Sequence, residues 1–233
     1  MNGLITLIED TYRLDADEDV WLTSILKSCM ALGLGDRGVI GFLFDTREGA
    51  SSVMQSPITL EAHPMVAQAA TQAMSAMPRA EQVRYLTKGP TVTTGRALAN
   101  DVKPSNAAMV AEIRKKLGWE ETFGMRIVDV SGVGLCITGM LSTVRTYSPT
   151  TLRTWRRVAA HLGAALRLRR ALTACATTPE PAAIFDWHGA VHHAQGDARS
   201  KSQRTALREA VLAVARAKGP LREGDPDAAV RAW

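Results

Sequence analysis

The 233-residue chain has no stretch suited to a bilayer: the uncharged region before Arg145, from about 132, is interrupted by Gly, Ser and Thr, short of the roughly 18 apolar residues a span requires. It has little cysteine. Cys29, Cys136 and Cys175 are an odd number, sit among apolar or small residues and show no metal-ligand spacing, so they are expected to be reduced thiols and no metal site is expected. The start, Met-Asn-Gly-Leu-Ile-Thr-Leu-Ile, lacks a basic segment and runs into Glu9 and Asp10; it fails as a secretory signal, and a cytoplasmic location is expected. With 18 Gly and 10 Pro, the chain is neither a low-complexity linker nor a fibrous repeat. No G-x-S-x-G elbow and no Walker lysine is present.

What is present is a globular composition, 46% hydrophobic and 22% charged, in a length that suits one large domain or a domain with an appendage. The charge is unevenly spread. Residues 1–147 carry 14 Lys/Arg against 16 Asp/Glu, whereas 148–233 carry 14 against 7, so the net +5 arises from the C-terminal third.

Periodicity predicts a helix over 17–33, with Trp21, Ile25, Cys29 and Leu32 on one stripe and Gly33 as its stop. Gly38 to Asp45 reads as a strand buried on both faces, with a partner over 52–61. An Ala/Met-rich helix over 64–77, a short helix over 79–87, an ambiguous segment over 91–99 and an amphipathic helix over 104–117 follow. In the last of these, Met109, Ile113 and Leu117 are expected inward and Arg114, Lys115 and Lys116 outward. Two strands, 122–130 and 133–147, flank the turn pair Ser131-Gly132 and predict an antiparallel hairpin. Ser148-Pro149 then opens a helix to about 176, with Leu152, Trp155, Leu162 and Leu166 as an apolar seam. After a turn-forming linker, 183–194 reads as a small hairpin about Trp187 to Gly189, and 200–218 as a basic helix.

Several motifs invite chemical readings. Gly33-Leu-Gly35-Asp-Arg-Gly38 matches G-x-G-x-x-G, but it follows a helix and precedes a strand, the reverse of a dinucleotide site, so a tight turn is expected. His188, His192 and His193 cluster, yet neighbours on a strand face opposite ways and do not converge on one ion. Cys136, mid-strand, would need a base such as His161 nearby to act as a nucleophile. Arg153, Arg156, Arg157, Arg167, Arg169 and Arg170 beside the Leu/Trp seam suit DNA, anionic lipid or a partner helix, and the seam's length favours pairing of two copies in a homodimer.

The order of elements resembles the GAF/PAS-like sensor fold. The segments Ile184-Phe-Asp186-Trp-His-Gly189-Ala-Val-His-His-Ala194, Leu207-Arg-Glu-Ala-Val211 and Asp225-Pro-Asp-Ala-Ala229 with Trp233 look like the juncture in certain bacterial LuxR-type transcriptional regulators, where a sensor leads to a C-terminal helix-turn-helix. The chain ends at Trp233 before a second DNA-reading helix, so the reader domain is expected to be missing and DNA to be reached only through it. The cyclic-nucleotide pattern N-K-x-x-E is absent, so the resemblance supplies no ligand.

The expectation is an α+β protein: a GAF/PAS-like antiparallel sheet covered by helices with a long closing helix over 1–176, and a small hairpin-helix unit over 177–233. A non-enzymatic sensor and dimerisation module is expected, with no cofactor and no membrane partner. Its pocket or partner state would pass through the 149–176 helix. Phe42, Phe44, Met125, Ile127 and Leu135 are candidates for the wall of a small-molecule cavity, or for a solid core. The alternatives are a GAF-fold thiol reductase using Cys136 and a second thiol such as Cys29, or a nucleic-acid binder acting through the basic C-terminal third.

Overall fold

A computed structural model of the protein describes residues 2–48, 50, 53–177, 183–186 and 188–218. The chain divides into two compact units, 1–171 and 172–233.

The first unit is α+β. It opens with α1 (Asn2–Thr11) and α2 (Glu18–Ala31), followed by β1 (Val39–Asp45) and β2 (Ile58–Leu60). Four short helices surround one short strand: α3 (Val66–Ser75), α4 (Arg79–Thr87), β3 (Val92–Thr94), α5 (Gly95–Val102) and α6 (Ala107–Leu117). The strands β4 (Glu121–Val128) and β5 (Val133–Leu141) and the helix α7 (Pro149–Thr177) close the unit. The five strands form one antiparallel sheet in the order β2-β1-β5-β4-β3.

Strand alternation sorts the interior into two layers. On one face, Val39 and Leu43 of β1, Met125 and Ile127 of β4, and Leu135 and Ile137 of β5 meet α1, α2 and α7. On the other, Ile40, Phe42 and Phe44 of β1 with Cys136 and Met140 of β5 meet α3, α4 and the segment around Met54. The first face is closed by large side chains: Trp21, Ile25 and Leu26 of α2 and Leu162 of α7 are at most 1% exposed. Each such burial removes about 1.5–3 kcal/mol worth of apolar surface from water.

The glycine motif is a corner. Gly33 and Gly38 have φ of +78° and +92°, and a Cβ on Gly139 of β5 would lie 2.2 Å from the Leu34 carbonyl oxygen. Only a chain without side chains at these points lets the α2–β1 connection lie directly on the sheet.

Most expected elements are present, with instructive differences. Helix α1 is an addition to the expected elements; Ile5 on it is 53% exposed, and tertiary bonds hold it. The Trp21 indole donates to the Thr11 carbonyl (2.8 Å), and Ser24 and Ser28 donate to Asp10 (3.1 and 2.5 Å). The expected partner strand over 52–61 shrinks to β2 and an isolated bridge from Met54 to Phe44. The ambiguous 91–99 segment is both strand and helix: Thr94 ends β3 and accepts from Ala97 N (3.3 Å) as the cap of α5. In α6, Ile113 and Leu117 are half-buried as expected, whereas Met109 and Arg114 exchange roles with the expectation. Met109 is exposed, and Val110, Ile113, Arg114 and Leu117 form the half-buried stripe.

In the second unit, β6 (Ala183–Phe185) and β7 (Val191–Ala194) pair antiparallel, and a 3-10 turn over Gly196–Arg199 leads to α8 (Lys201–Lys218). Asp186 organises the hairpin, its Oδ1 accepting from His188 N (2.9 Å) and Ala190 N (2.8 Å), with Gly189 at φ +79°. Trp187, residues 178–181 of the expected 177–181 linker, and the 225–229 segment with Trp233 lie outside the described residues, while Thr177 ends α7.

Candidate functional site

A groove of about 660 Å³ runs along the outer edge of β4 where β3 stops covering it. Three pieces of sequence build it. Helix α4 ends at Thr87, and Gly89 (φ +82°) and Pro90 swing the chain back toward β3. Strand β4 supplies Arg126, Ile127 and Val128, and α7 supplies Arg156, Ala159, Ala160, Gly163 and Arg167. Gly163 lets helix and strand touch: a Cβ there would lie 3.0 Å from the Ile127 side chain and 3.6 Å from Nη1 of Arg167. The volume lies within the range typical of small-molecule sites.

The lining is cationic over an apolar floor. Lys88, Arg126, Arg156 and Arg167 contribute positive charge, Leu86, Pro90, Ile127 and Val128 contribute apolar surface, and among the described residues no acid lines the groove. Arg126 is the unusual member. Because Met125 and Ile127 enter the α2/α7 layer, alternation sends Arg126 to the opposite face, where it is 7% exposed. Its Nη1 donates to the Tyr85 carbonyl, its Nη2 donates to the Pro90 carbonyl (3.2 Å), and its guanidinium lies 5.8 Å from the centre of the Tyr85 ring. Its Nε is buried without a partner, and among the described residues no carboxylate forms an ion pair with it. Burial therefore lowers the Arg126 pKa, only partly opposed by the fields of Cys136, Tyr85 and Asp101. Burial and Cys136 push the Tyr85 phenol up to about 12 against the field of Arg126, so that phenol is neutral. Carbonyl dipoles hydrogen-bond the Arg126 charge but do not neutralise it.

The sequence-derived cavity residues do not share one wall. Phe42 and Phe44 belong to the α3/α4 layer, and Met125, Ile127 and Leu135 to the α2/α7 layer, because their strand positions differ in parity. Ile127 also lines the groove. The seam along α7 is internal: Trp155, Leu162 and Leu166 are 7%, 0% and 3% exposed within the α2/α7 layer, and half-buried Leu152 packs against it.

The six arginines of α7 separate by role. Arg169 donates to the carbonyls of Arg13 (3.0 Å), Leu14 (3.2 Å) and Ala16 (2.7 Å) and lies 4.8 Å from the centre of the Trp21 ring. Arg170 pairs with Asp129 at 2.5 Å. Arg153, Arg156, Arg157 and Arg167 are exposed, and Arg156 and Arg167 form the groove's α7 wall.

The thiols are separated by the sheet. Cys29 lies in the α2/α7 layer and Cys136 in the α3/α4 layer, and burial pushes both thiol pKa values up. His161 does not serve Cys136; its Nδ1 is 3.2 Å from the Tyr12 hydroxyl. Among the described residues no three metal-ligating side chains come together, and His192 instead lies 3.3 Å from Asp186. No helix among the described residues is long and apolar enough to cross a membrane.

Sequence reasoning passed over Lys88, Arg126 and Gly163. The signal was an arginine inside an otherwise apolar strand, Phe123-Gly-Met-Arg-Ile127, together with the Gly89-Pro90 turn.

No family model matches the chain, and no curated protein matches it. Among solved structures, it is similar to an N-acylhomoserine lactone-dependent LuxR-family transcription factor from Burkholderia cenocepacia, at 15% identity and a TM-score of 0.47 over 74% of this chain and 98% of that one. It is also similar to the phycoerythrobilin-bound GAF domain of a cyanobacterial phytochrome, at 13% identity and a TM-score of 0.44 over 74% of this chain and 96% of that one.

Proposed function

We propose that the protein is a non-enzymatic sensor and dimerisation module of a LuxR-type transcriptional regulator, acting in the cytoplasm, with DNA engaged through a separate helix-turn-helix domain. The observation that carries this reading is the groove's construction. One wall is the side of α7 that carries Arg156, Gly163 and Arg167, and the opposite wall is the 86–91 loop and the end of β4. An occupant therefore touches the sheet and the closing helix together, and its differential affinity for two positions of α7 is what would transmit occupancy. The juncture-like sequence over 184–211 supports the assignment to a regulator.

The homodimer belongs to the same proposal. Because the seam of Leu152, Trp155, Leu162 and Leu166 packs into the chain's own core, the contact falls to the outward side of α7, where Leu168 is 46% exposed. The thiol-reductase alternative is disfavoured by the sheet lying between Cys29 and Cys136.

Native mass spectrometry of the chain purified gently from its own host tests the reading. A dimer that retains a reproducible extra mass is the expected result. An empty monomer over the micromolar range would overturn it.

A further inference from the structure

We infer that the groove between the 86–91 loop, β4 and α7 is a binding site for a small organic anion, a carboxylate or phosphate carried on a compact apolar body. The inference names the ligand class for the sensor reading above and rests on that reading only for its regulatory meaning.

Three observations point to this chemistry. Lys88 on one side and Arg156 and Arg167 on the other place positive charge on both walls, without an acid among the described lining residues. Such an arrangement raises the local concentration of anions and is neutralised by one entering the groove. At the β4 edge, on the side of the 85–90 loop, lies the Arg126 charge, 7% exposed, with carbonyl oxygens as its hydrogen-bond acceptors and Nε buried and unpartnered. Asp101, the acid whose field reaches Arg126, is not part of the lining. An anion in the groove would add to the countercharge that the field of Asp101 supplies only in part.

The third observation concerns the rest of the ligand. Ile127, Val128, Leu86 and Pro90 give the groove an apolar floor, and Gly163 clears space above Ile127 under the Arg167 guanidinium. A free inorganic ion would leave this floor uncovered. A purely apolar molecule would leave four cations unmatched and cost some of their hydration.

The test is calorimetric titration of the full chain at low salt with phenyl phosphate, benzoate, inorganic phosphate and benzyl alcohol, repeated on R156Q/R167Q and on K88Q. Phenyl phosphate is expected to bind about tenfold or more tightly than inorganic phosphate or benzyl alcohol, because each of those keeps only half of the recognised chemistry. R156Q/R167Q should weaken phenyl phosphate by about tenfold or more, and K88Q by a few-fold, with urea midpoints unchanged. These exposed side chains can be altered without threatening the fold.

Equal binding of benzyl alcohol, unchanged affinity in R156Q/R167Q, or no heat from any probe would each overturn the assignment. Displacement of phenyl phosphate by a DNA duplex, with affinity falling steeply in salt, would replace it with a nucleic-acid surface. The two readings fail separately. Binding that leaves hydrogen exchange along α7 unchanged would retain the anion site and remove the sensor, whereas a retained neutral ligand in native mass spectrometry would do the reverse.

Discussion

The position of α7 is tested most directly by Leu162→Ala. Leu162 is fully buried in the layer that joins α7 to the sheet, beside Trp155, Leu166 and the β4 and β5 side chains. Truncation at such a site loses the transfer free energy of the missing carbons and leaves a cavity, together about 3–5 kcal/mol. Domains of this size are stable by only about 5–15 kcal/mol, so the loss is a large fraction of the whole. With a urea dependence of about 2 kcal/mol per molar, the unfolding midpoint should fall by about 1.5–2.5 M. The fluorescence of buried Trp21 and Trp155 provides the signal. Sedimentation velocity under native conditions should show the same oligomeric state as the unaltered chain. Leu168→Ala, on the exposed side of the same helix, should move the midpoint by less than about 0.3 M. The reasoning is refuted if Leu162→Ala keeps the parental midpoint but dissociates a dimer, since the residue would then face a second copy and not the sheet.

Two further tests concern acid sensitivity and thiol access. Burial acts to raise the Asp129 pKa, but hydrogen bonds from Ser131 and the Arg170 charge outweigh it and hold the carboxyl below its ordinary value. A carboxyl depressed in the folded state stabilises above the unfolded pKa of about 3.9 and loses that contribution as pH falls through its folded value. Asp129→Asn should therefore be about 1 kcal/mol less stable at pH 7 in urea titrations, with the gap closing below about pH 4; a gap constant down to pH 3 would refute the assignment. In a Cys175→Ser background, Cys29 and Cys136 should resist a thiol reagent such as DTNB until denaturant is added, because both are buried and burial disfavours their thiolates. Rapid labelling of either in the native protein would restore the thiol alternative.

The elements with strong local signals were legible in the sequence. The buried strand before Asp45, the Ser131-Gly132 hairpin and the Ser148-capped long helix each depend on a short-range pattern, and each has its counterpart in the structure. Helix α1 escaped because its stabilising bonds come from Trp21, Ser24 and Ser28 on the next helix. In α6, the adjacent apolar residues Met109 and Val110 differ too little in sequence to decide which of them begins the buried stripe. The candidate site was the least legible part. Its cations come from α4's end, β4 and α7, and only sheet pairing and helix docking bring Lys88, Arg126 and Arg167 to one groove. The same limit explains the cavity residues, since parity along each strand is readable but which layer each parity faces depends on register.

The Arg169 contact with the α1–α2 connection also constrains how the chain can acquire its structure. The carbonyls of Arg13, Leu14 and Ala16 receive their guanidinium donors from a residue up to 156 positions downstream. Likewise β1 is joined to the centre of the sheet only through β5, with Val39 opposite Gly139. On a ribosome, the first two helices and the first strand therefore emerge long before their principal partners exist. The β4–β5 hairpin has the smallest loop to close and is the natural seed, with β1 adding to it afterwards. The carbonyls of the α1–α2 connection therefore gain their guanidinium partner only once α7 has been made.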